Sequence, residues 1–422
     1  MSRIQRAVQL YRENEFIIFI LKLSSFLSSC ISLGFSIVAF YLITIVSLLV
    51  GRDKRRLAFA NVAQDDFSDN TKYLFLHLNT SDYNSIRPVW ITKNPDVKRN
   101  LEEKGFDVYL EHSLAGIIQL LRAGFIFFDG SMRGYKWYYT GGATRLQLRH
   151  GIPLKGAPRN RGGLFKSIMN RLVEKYDFVI TASKTDRDHC IRYYQQMDHW
   201  LEYLKPSFET AVPIETGFPR TDVLLRDVKS KRIGVPPEIK TMFESVRGYD
   251  YVIGYFPTYR QRDSITPFTD NYLIEYLNEI DGALLVRSHR LVSTDLPDSD
   301  KVFELPSYGD IYPLLNEIDV LITDYSSIAL DFSLTGKPVL FYTFDRDQYS
   351  DERGVHRDFD QITAGHRVLT EAELVTEVER AISGEAASNE QLLQFFADID
   401  GRASERLAKF VLDEQLGEYE TY

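Results

Sequence analysis

The 422-residue sequence predicts an α/β protein: two doubly wound domains with parallel sheets, facing one another across a cleft, behind an N-terminal apolar helical segment. Three observations predict it. From about Lys72, short apolar runs alternate with helical stretches, the pattern of parallel sheets covered on both faces. A charged, proline-punctuated stretch, Arg226–Glu238, divides that alternation in two. In Leu321–Tyr342, LITDYSSIALDFSLTGKPVLFY, an apolar strand passes directly into a helix, the place where α/β proteins put ligands.

The elements follow in order. Phe16–Val50 is apolar apart from Lys22 and scattered Ser, Thr and Gly. Its last portion, Ile31–Val50, is uncharged and about the length that spans a bilayer. It is too long for a signal peptide, and no small-residue cleavage site follows it. The basic cluster Gly51-Arg52-Asp53-Lys54-Arg55-Arg56 then predicts that the rest of the chain is cytoplasmic. Arg3, Arg6 and Arg12 are also basic, diluted by Glu13 and Glu15, so a hairpin or in-plane helix stands beside a spanning helix and an ordinary buried one. The expected division is a membrane-associated segment at 1–56, a first domain at 70–235 and a second at 245–415.

In the first domain the strand-like runs are Tyr73–Leu78, Val89–Thr92, Phe125–Phe128, Leu146–Leu148 and Phe178–Thr181. Helical stretches lie at Val97–Lys104, Leu114–Arg122 and Leu164–Lys175. The second domain reads as strands Tyr251–Tyr255, Ala283–Val286, Val320–Ile322 and Val339–Tyr342, closed by helices Glu371–Ser383 and Glu390–Asp413.

Composition narrows the function. At 44% hydrophobic and 26% charged the chain is globular, and its net charge of −9 argues against a general nucleic-acid binder. Cys30 and Cys190 are isolated, giving no disulfide framework and no metal spacing, which fits a reducing cytoplasm. Against the acidic average, Gly130–Val173 holds no Asp or Glu but contains Arg133, Lys136, Arg145, Arg149, Lys155, Arg159, Arg161, Lys166 and Arg171. Such a window suits anionic lipid head groups or a phosphate polymer, and Trp137, Tyr138 and Tyr139 suit a bilayer interface. A charged helix face with a loop is the plain alternative.

Five clusters fall at strand-to-loop junctions. Ser326 and Ser327 open the helix after Thr323-Asp324; they read either as a helix cap or as donors to a phosphate. His150 ends a strand before the turn Gly151-Ile152-Pro153-Leu154-Lys155. Gly217-Phe218-Pro219-Arg220-Thr221-Asp222 presents an arginine, Phe256-Pro257-Thr258-Tyr259-Arg260 follows a buried strand, and Arg287-Ser288-His289-Arg290 ends the next. Histidine exchanges a proton near neutral pH, and arginine makes paired bonds to phosphate.

Taken in order, His-Gly-x-Pro-Leu-Lys, Gly-x-Pro-Arg-x-Asp, Pro-Thr-x-Arg, the strand-end His and Thr-Asp-Tyr-Ser-Ser resemble the CDP-glycerol glycerophosphotransferase family of teichoic-acid primases, polymerases and capsule enzymes. The resemblance runs from about Tyr73 to Ile382 and includes Gly336-Lys337-Pro338, Asp345, Tyr349 and Arg353-Gly354. Thr221, Arg290 and His366 stand where that family more often has Asn, Pro and Pro.

The resemblance implies a GT-B-like fold with an acceptor-side first domain and a CDP-alditol-binding second domain. It implies transfer of glycerol phosphate, or a related alditol phosphate, to an acceptor hydroxyl with release of CMP. His150 would be the general base, and His289 would hold the diphosphate across the cleft. Substrate contacts would come from Gly151, Pro153, Leu154, Lys155, Arg220, Asp222, Thr258, Arg260, Arg287, Ser288, Asp324, Ser326 and Ser327. Asp331 would accept from the ribose, or would be a solvated helix acid. The expected donor is CDP-glycerol or a similar nucleotide, with no metal and no other cofactor. The expected partners are a lipid-linked or polyanionic acceptor and the cytoplasmic face of the cell membrane. A glycosyltransferase using a nucleotide sugar, and a non-catalytic tethered scaffold, are the alternatives.

Overall fold

The computed structural model describes residues 24, 28, 31–32, 34–47, 49, 51–61, 66–130, 137–156, 175–195, 211–260, 264–265, 267–287, 293–294, 296–387 and 389–416. Among them, seven parallel strands build the first sheet: β1 (Asp53–Ala60), β2 (Arg87–Thr92), β3 (Val108–Leu110), β4 (Ala123–Phe128), β5 (Thr144–Gln147), β6 (Phe178–Thr181) and β7 (Val212–Glu215). Their order is β3-β2-β1-β4-β5-β6-β7. In the second half β8 (Tyr251–Phe256) is followed by β9 (Ser264–Ile265), β10 (Gly282–Val286), β11 (Ser293–Thr294), β12 (Val302–Glu304), β13 (Val320–Thr323), β14 (Val339–Tyr342) and β15 (Arg367–Val368). The second sheet is also parallel, in the order β12-β10-β8-β13-β14-β15, while β9 and β11 pair separately. Each sheet reverses its winding at its first strand, between β1 and β4 and between β8 and β13. These are the crevices where such sheets bind ligands.

Both sheets are buried on both faces, as the near-continuous apolar runs require. In β1, Leu57 and Phe59 face the inner core while Ala58 and Ala60 face an outer cluster with Ile126 and Phe128. In β8, Val252 and Phe256 face inward while Ile253 and Tyr255 join an outer cluster with Leu284 and Ile322. The alternation has the two-residue period of a strand. The inner cluster is continuous across the two domains, from Leu57 to Val411.

Several elements depart from the sequence reading, and the short strands β3, β7, β12 and β15 have no counterpart in it. Tyr73–Leu78 is not a strand; it is the body of a helix, Asp69–Leu78. Seven of its first eight positions and Leu78 are buried, because it is wedged between the domains, so no polar face remains to display a 3.6-residue period. The sheet instead gains β1, an interior strand between β2 and β4 and upstream of residue 70, where Asp53–Arg56 read as a membrane-flanking charge cluster. Glu390–Asp413 divides into Glu390–Leu393 and Ala403–Leu416, broken near Gly401, whose φ of +67° is left-handed. The stretch Leu164–Lys175 falls almost wholly outside the described residues.

The last helix leaves the second domain and lies on the first. Phe410 meets Phe178 edge-on at 5.0 Å, and Arg406 Nε donates to Thr216 O at 2.9 Å. At the domain junction the ammonium of Lys72 is fully buried, 2.7 Å from Asp310 Oδ2 and 2.9 Å from Lys231 O. Tyr73 Oη donates to the same Asp310 oxygen at 2.6 Å. Burial pushes the Lys72 pKa down, and Asp310 works against that.

No helix among the described residues is long and apolar enough to cross a membrane. Residues 34–47 are helical, and Ile37 and Phe40 pack on the outer face of the first sheet. The opposite face is apolar too, with Phe35 71% and Leu49 82% exposed, and Ile31, Val38, Leu42 and Ile45 beside them. Half of the basic cluster turns inward. Arg52 donates to the carbonyls of Leu120, Ala123, Tyr139 and Gly141 at 2.5–3.0 Å, and Arg56 is buried against Gln119. Only Lys54 and Arg55 of its cations are exposed.

Candidate active site

The site forms where the β5 loop meets the second domain. Arg149, at φ +57°, turns the chain; its buried guanidinium holds Asp186 at 2.5 and 2.9 Å. Asn70 fixes the same loop from the side, donating to Leu148 O and Arg149 O at 2.9 Å and accepting from Arg220 N at 3.0 Å. These contacts leave the His150 ring half-exposed, with Nδ1 3.1 Å from Asp69 Oδ2. With Nδ1–H donated to Asp69, Nε2 presents its lone pair outward. That is the tautomer of an oriented general base.

Asp69 sits at the start of the wedged helix with φ +65°, a left-handed conformation uncommon for Asp. Burial works to raise its pKa, but the Arg220 charge and the His150 bond hold it down to about 2. For His150 the balance reverses: burial works to lower the pKa, and the Asp69 bond and charge outweigh it, so the ring titrates above the ordinary histidine value.

Arg220 is buried and bridges the domains. Nη1 lies 2.8 Å from Asp69 Oδ1, and Nε and Nη2 lie 3.0 and 2.6 Å from Asp331 Oδ2. Tyr312 Oη donates to that same Asp331 oxygen at 2.6 Å. Asp331 is therefore not the solvated acid of the sequence reading; it is fully buried, and its Oδ1 has no hydrogen-bond partner.

Gly151, at φ +119°, brings this loop against the serine-tipped helix. A side chain there would press on Arg220 Nη2 and come within 3.2 Å of Ser327 Oγ. Ser326 and Ser327 are half-buried at the start of Ile328–Ser333, and Ser327 makes no side-chain cap bond. Beyond Gly151 the loop is strapped to the second domain: Leu154 O accepts from His356 N at 3.0 Å, Lys155 bridges Val355, and Gly156 N donates to Gly354 O at 2.9 Å. Leu154 is buried, and Pro153 O accepts from His189 Nε2 at 2.6 Å. The Lys155 ammonium is half-buried near Asp324, Arg353 and Arg260; burial pushes its pKa down.

Other expected contacts have different occupations. Arg260 is 1% exposed and saturated: Nη1 lies 2.6 Å from Asp324, and Nε and Nη2 lie 2.9 and 3.0 Å from Asp345. Asp324 also accepts from Thr258 N at 2.9 Å and Tyr325 N at 2.6 Å, closing the β8–β13 crevice from below. Thr258 is buried, its hydroxyl 2.7 Å from Arg260 Nη1. Arg260, Asp324 and Thr258 thus brace the crevice, the guanidinium stacked 4.7 Å over the Tyr349 ring. The Asp222 carboxylate accepts from Ala403 N and Ser404 N at 2.8 and 2.9 Å, capping the last helix. Arg287 Nη2 donates to Gly309 O at 2.7 Å. Ser288 and His289 lie outside the described residues.

Among the described residues one other cluster has metal-ligating types, His189, His356 and Asp358. Its geometry suits packing better than ligation. The imidazoles pack with their centroids 3.9 Å apart and their planes tilted by 31°, His356 Nδ1 accepts from Asp358 N, and the Asp358 carboxylate holds Arg192 at 2.8 Å.

Two parallel-sheet domains, with an oriented imidazole at their junction beside the uncapped Ser327 hydroxyl, fit an enzyme of the group-transfer kind. Residues 42–413 match the CDP-Glycerol:Poly(glycerophosphate) glycerophosphotransferase family, and the chain belongs to it. The teichoic acid glycerol-phosphate transferase of Staphylococcus aureus is 26% identical over 398 residues, covering 85% of this chain and 93% of that one. The teichoic acid glycerol-phosphate primase of Bacillus subtilis is 29% identical over 209 residues, 47% of this chain and half of its own length. In fold the chain is similar to the wall teichoic acid polymerase TagF, with a TM-score of 0.68 at 20% identity, covering 92% of this chain and 96% of that one.

Proposed function

We propose that the protein transfers glycerol phosphate, or a related alditol phosphate, from a CDP-alditol to a hydroxyl of a lipid-linked or polymeric acceptor in teichoic-acid-like or capsule-like polymer synthesis. The observation that carries this reading is the His150–Asp69 pair, its Nε2 open and its loop pressed by Gly151 against Ser327. His150 Nε2 takes the acceptor proton. The freed oxygen attacks the alditol-bearing phosphorus, and the bond from that phosphorus to the CMP oxygen breaks. In phosphoryl transfer the protein mainly positions groups and offsets charge. Ser326, Ser327 and Lys155 supply donors beside the β8–β13 crevice, and His289 is assigned the departing CMP. Arg220 acts from behind, through Asp69. The reading needs the CDP-alditol and invokes no further cofactor.

Incubation with CDP-glycerol, CDP-ribitol, UDP-sugars and CMP-sugars, with released nucleotide measured, tests it. CMP from a CDP-alditol supports it; turnover of a nucleotide sugar alone, or binding without turnover, rejects it. The acid limb of kcat/KM should titrate above the ordinary histidine value near 6.5, because Asp69 raises the His150 pKa and only the neutral ring accepts a proton. A limb well below that value would assign the base elsewhere.

We also propose that the protein acts on the cytoplasmic face of the membrane, with the N-terminal helix lying in the bilayer surface. Its outward apolar face and the neighbouring Lys54 and Arg55 support this. Of the acid-free basic window, Arg149 is buried and Arg145 pairs with Asp177, while Arg133, Lys136, Arg159, Arg161, Lys166 and Arg171 lie outside the described residues. The double variant Phe35→Asp with Leu49→Asp should lose flotation with anionic vesicles while keeping CMP release on a soluble acceptor. Unchanged flotation would sink the in-plane reading.

A further inference from the structure

We propose that Arg220 and Asp331 are positioning residues that tie the proton affinity of His150 to the donor-side helix, so that the base strengthens when an anionic donor arrives at Ser327. This rests on the reading of His150 as the base. The contacts form one unbroken chain across the domain junction: His150 Nδ1 to Asp69 Oδ2 at 3.1 Å, Asp69 Oδ1 to Arg220 Nη1 at 2.8 Å, Arg220 Nη2 to Asp331 Oδ2 at 2.6 Å, and Asp331 to Tyr312 Oη at 2.6 Å. One buried cation is therefore shared between two carboxylates, one from each domain.

The charged groups that act on His150 are Asp69, Asp129 and Arg220. The two acids favour the imidazolium and Arg220 opposes it. Asp331 and Tyr312 stand behind Arg220, and Tyr73 lies near Asp69. Whatever draws Arg220 charge away from Asp69 leaves Asp69 more fully to the imidazole. Ser327 Oγ and Arg220 Nη2 both press on the space a Gly151 side chain would occupy, so the charge of an anion at the serine tip falls close to the Arg220 guanidinium. Asp69 is held in its left-handed backbone between these two partners, the kind of strain that persists where surrounding contacts over-determine it.

The test is an NMR titration of the His150 ring in the full chain labelled at histidine, with the signal assigned among the eight histidines by comparison with His150→Gln. Asp331→Asn removes an anion from Arg220 and should lower the His150 pKa by about one unit. The acid limb of kcat/KM should move with it. Saturating CDP, which carries the diphosphate without the alditol, should raise the wild-type ring pKa and move the variant's less. Lost turnover with an unmoved ring pKa would make Asp331 merely structural and overturn the proposal. If Asp331→Asn fails to fold, the wild type decides alone: a ring pKa indifferent to CDP overturns the coupling. The expected ring shifts, together with normal turnover in His150→Ala, would instead reject the base assignment and leave the relay standing.

Discussion

His150→Ala should cut CMP release about a thousandfold, within the range that positioned general bases contribute, while the protein keeps its fold and its affinity for the donor. The expectation follows from where the ring sits. It is half-exposed, so truncation opens no cavity and strands no buried group. Its one hydrogen-bond partner, Asp69, keeps the ion pair with Arg220 after the ring is gone. The loss should therefore fall on kcat, with the urea midpoint nearly unchanged. Near-normal CMP release would remove the base from the mechanism. A collapse in stability would show that the ring holds the loop rather than the proton.

Lys72→Met carries the largest expected effect on stability, about 3–5 kcal/mol, the usual penalty for leaving a buried charge without its partner. Lys72 and Asp310 have side chains 0% and 1% exposed, and they join the wedged helix to the second domain. After the change Asp310 would keep only the Tyr73 hydroxyl and the backbone N–H of Tyr312. Neither neutralises it. Adding Asp310→Leu should restore only part of the loss: it removes the unpaired buried charge, but it leaves the buried Tyr73 hydroxyl and the Tyr312 N–H without their acceptor. Chemical denaturation of the two variants checks both statements. A single-variant loss below about 1 kcal/mol would mean that water reaches Asp310.

Much of the fold is legible in the sequence because its strands are short, apolar and bounded by turns. Phe178–Thr181 and Val339–Tyr342 have the expected limits, and the helix Leu114–Arg122 does as well. Where the reading fails for Tyr73–Leu78, tertiary burial erased the local pattern; Glu390–Asp413 fails instead because the chain breaks near Gly401. Tyr73–Leu78 is helical without a polar face, and β1 opens with charges, of which Lys54 and Arg55 stay exposed while Arg56 is buried. The site shows the same division. His150, Gly151, Arg220 and Ser327 announce themselves by residue type at strand ends, and the fold brings them together. Asp69, Asn70 and Tyr312 do not, since an acid at a helix start reads as a dipole partner and nothing local marks its left-handed backbone. Arg260 and Asp222 look like ligand contacts until their partners, Asp345 and the Ala403–Ser404 amides, arrive from more than eighty positions downstream.

The closing stretch of chain has a practical consequence. After Phe395 it returns to the opposite half: Ser183 Oγ binds Phe395 O at 2.8 Å, Ala397 N donates to Ala182 O at 3.0 Å, and Asp222 grips the final helix. A protease that nicks the connector around Arg226–Glu238 would leave two fragments still buckled together. Neither half can be expressed as a clean stand-alone piece by cutting there, because the tail that finishes one is the lid of the other.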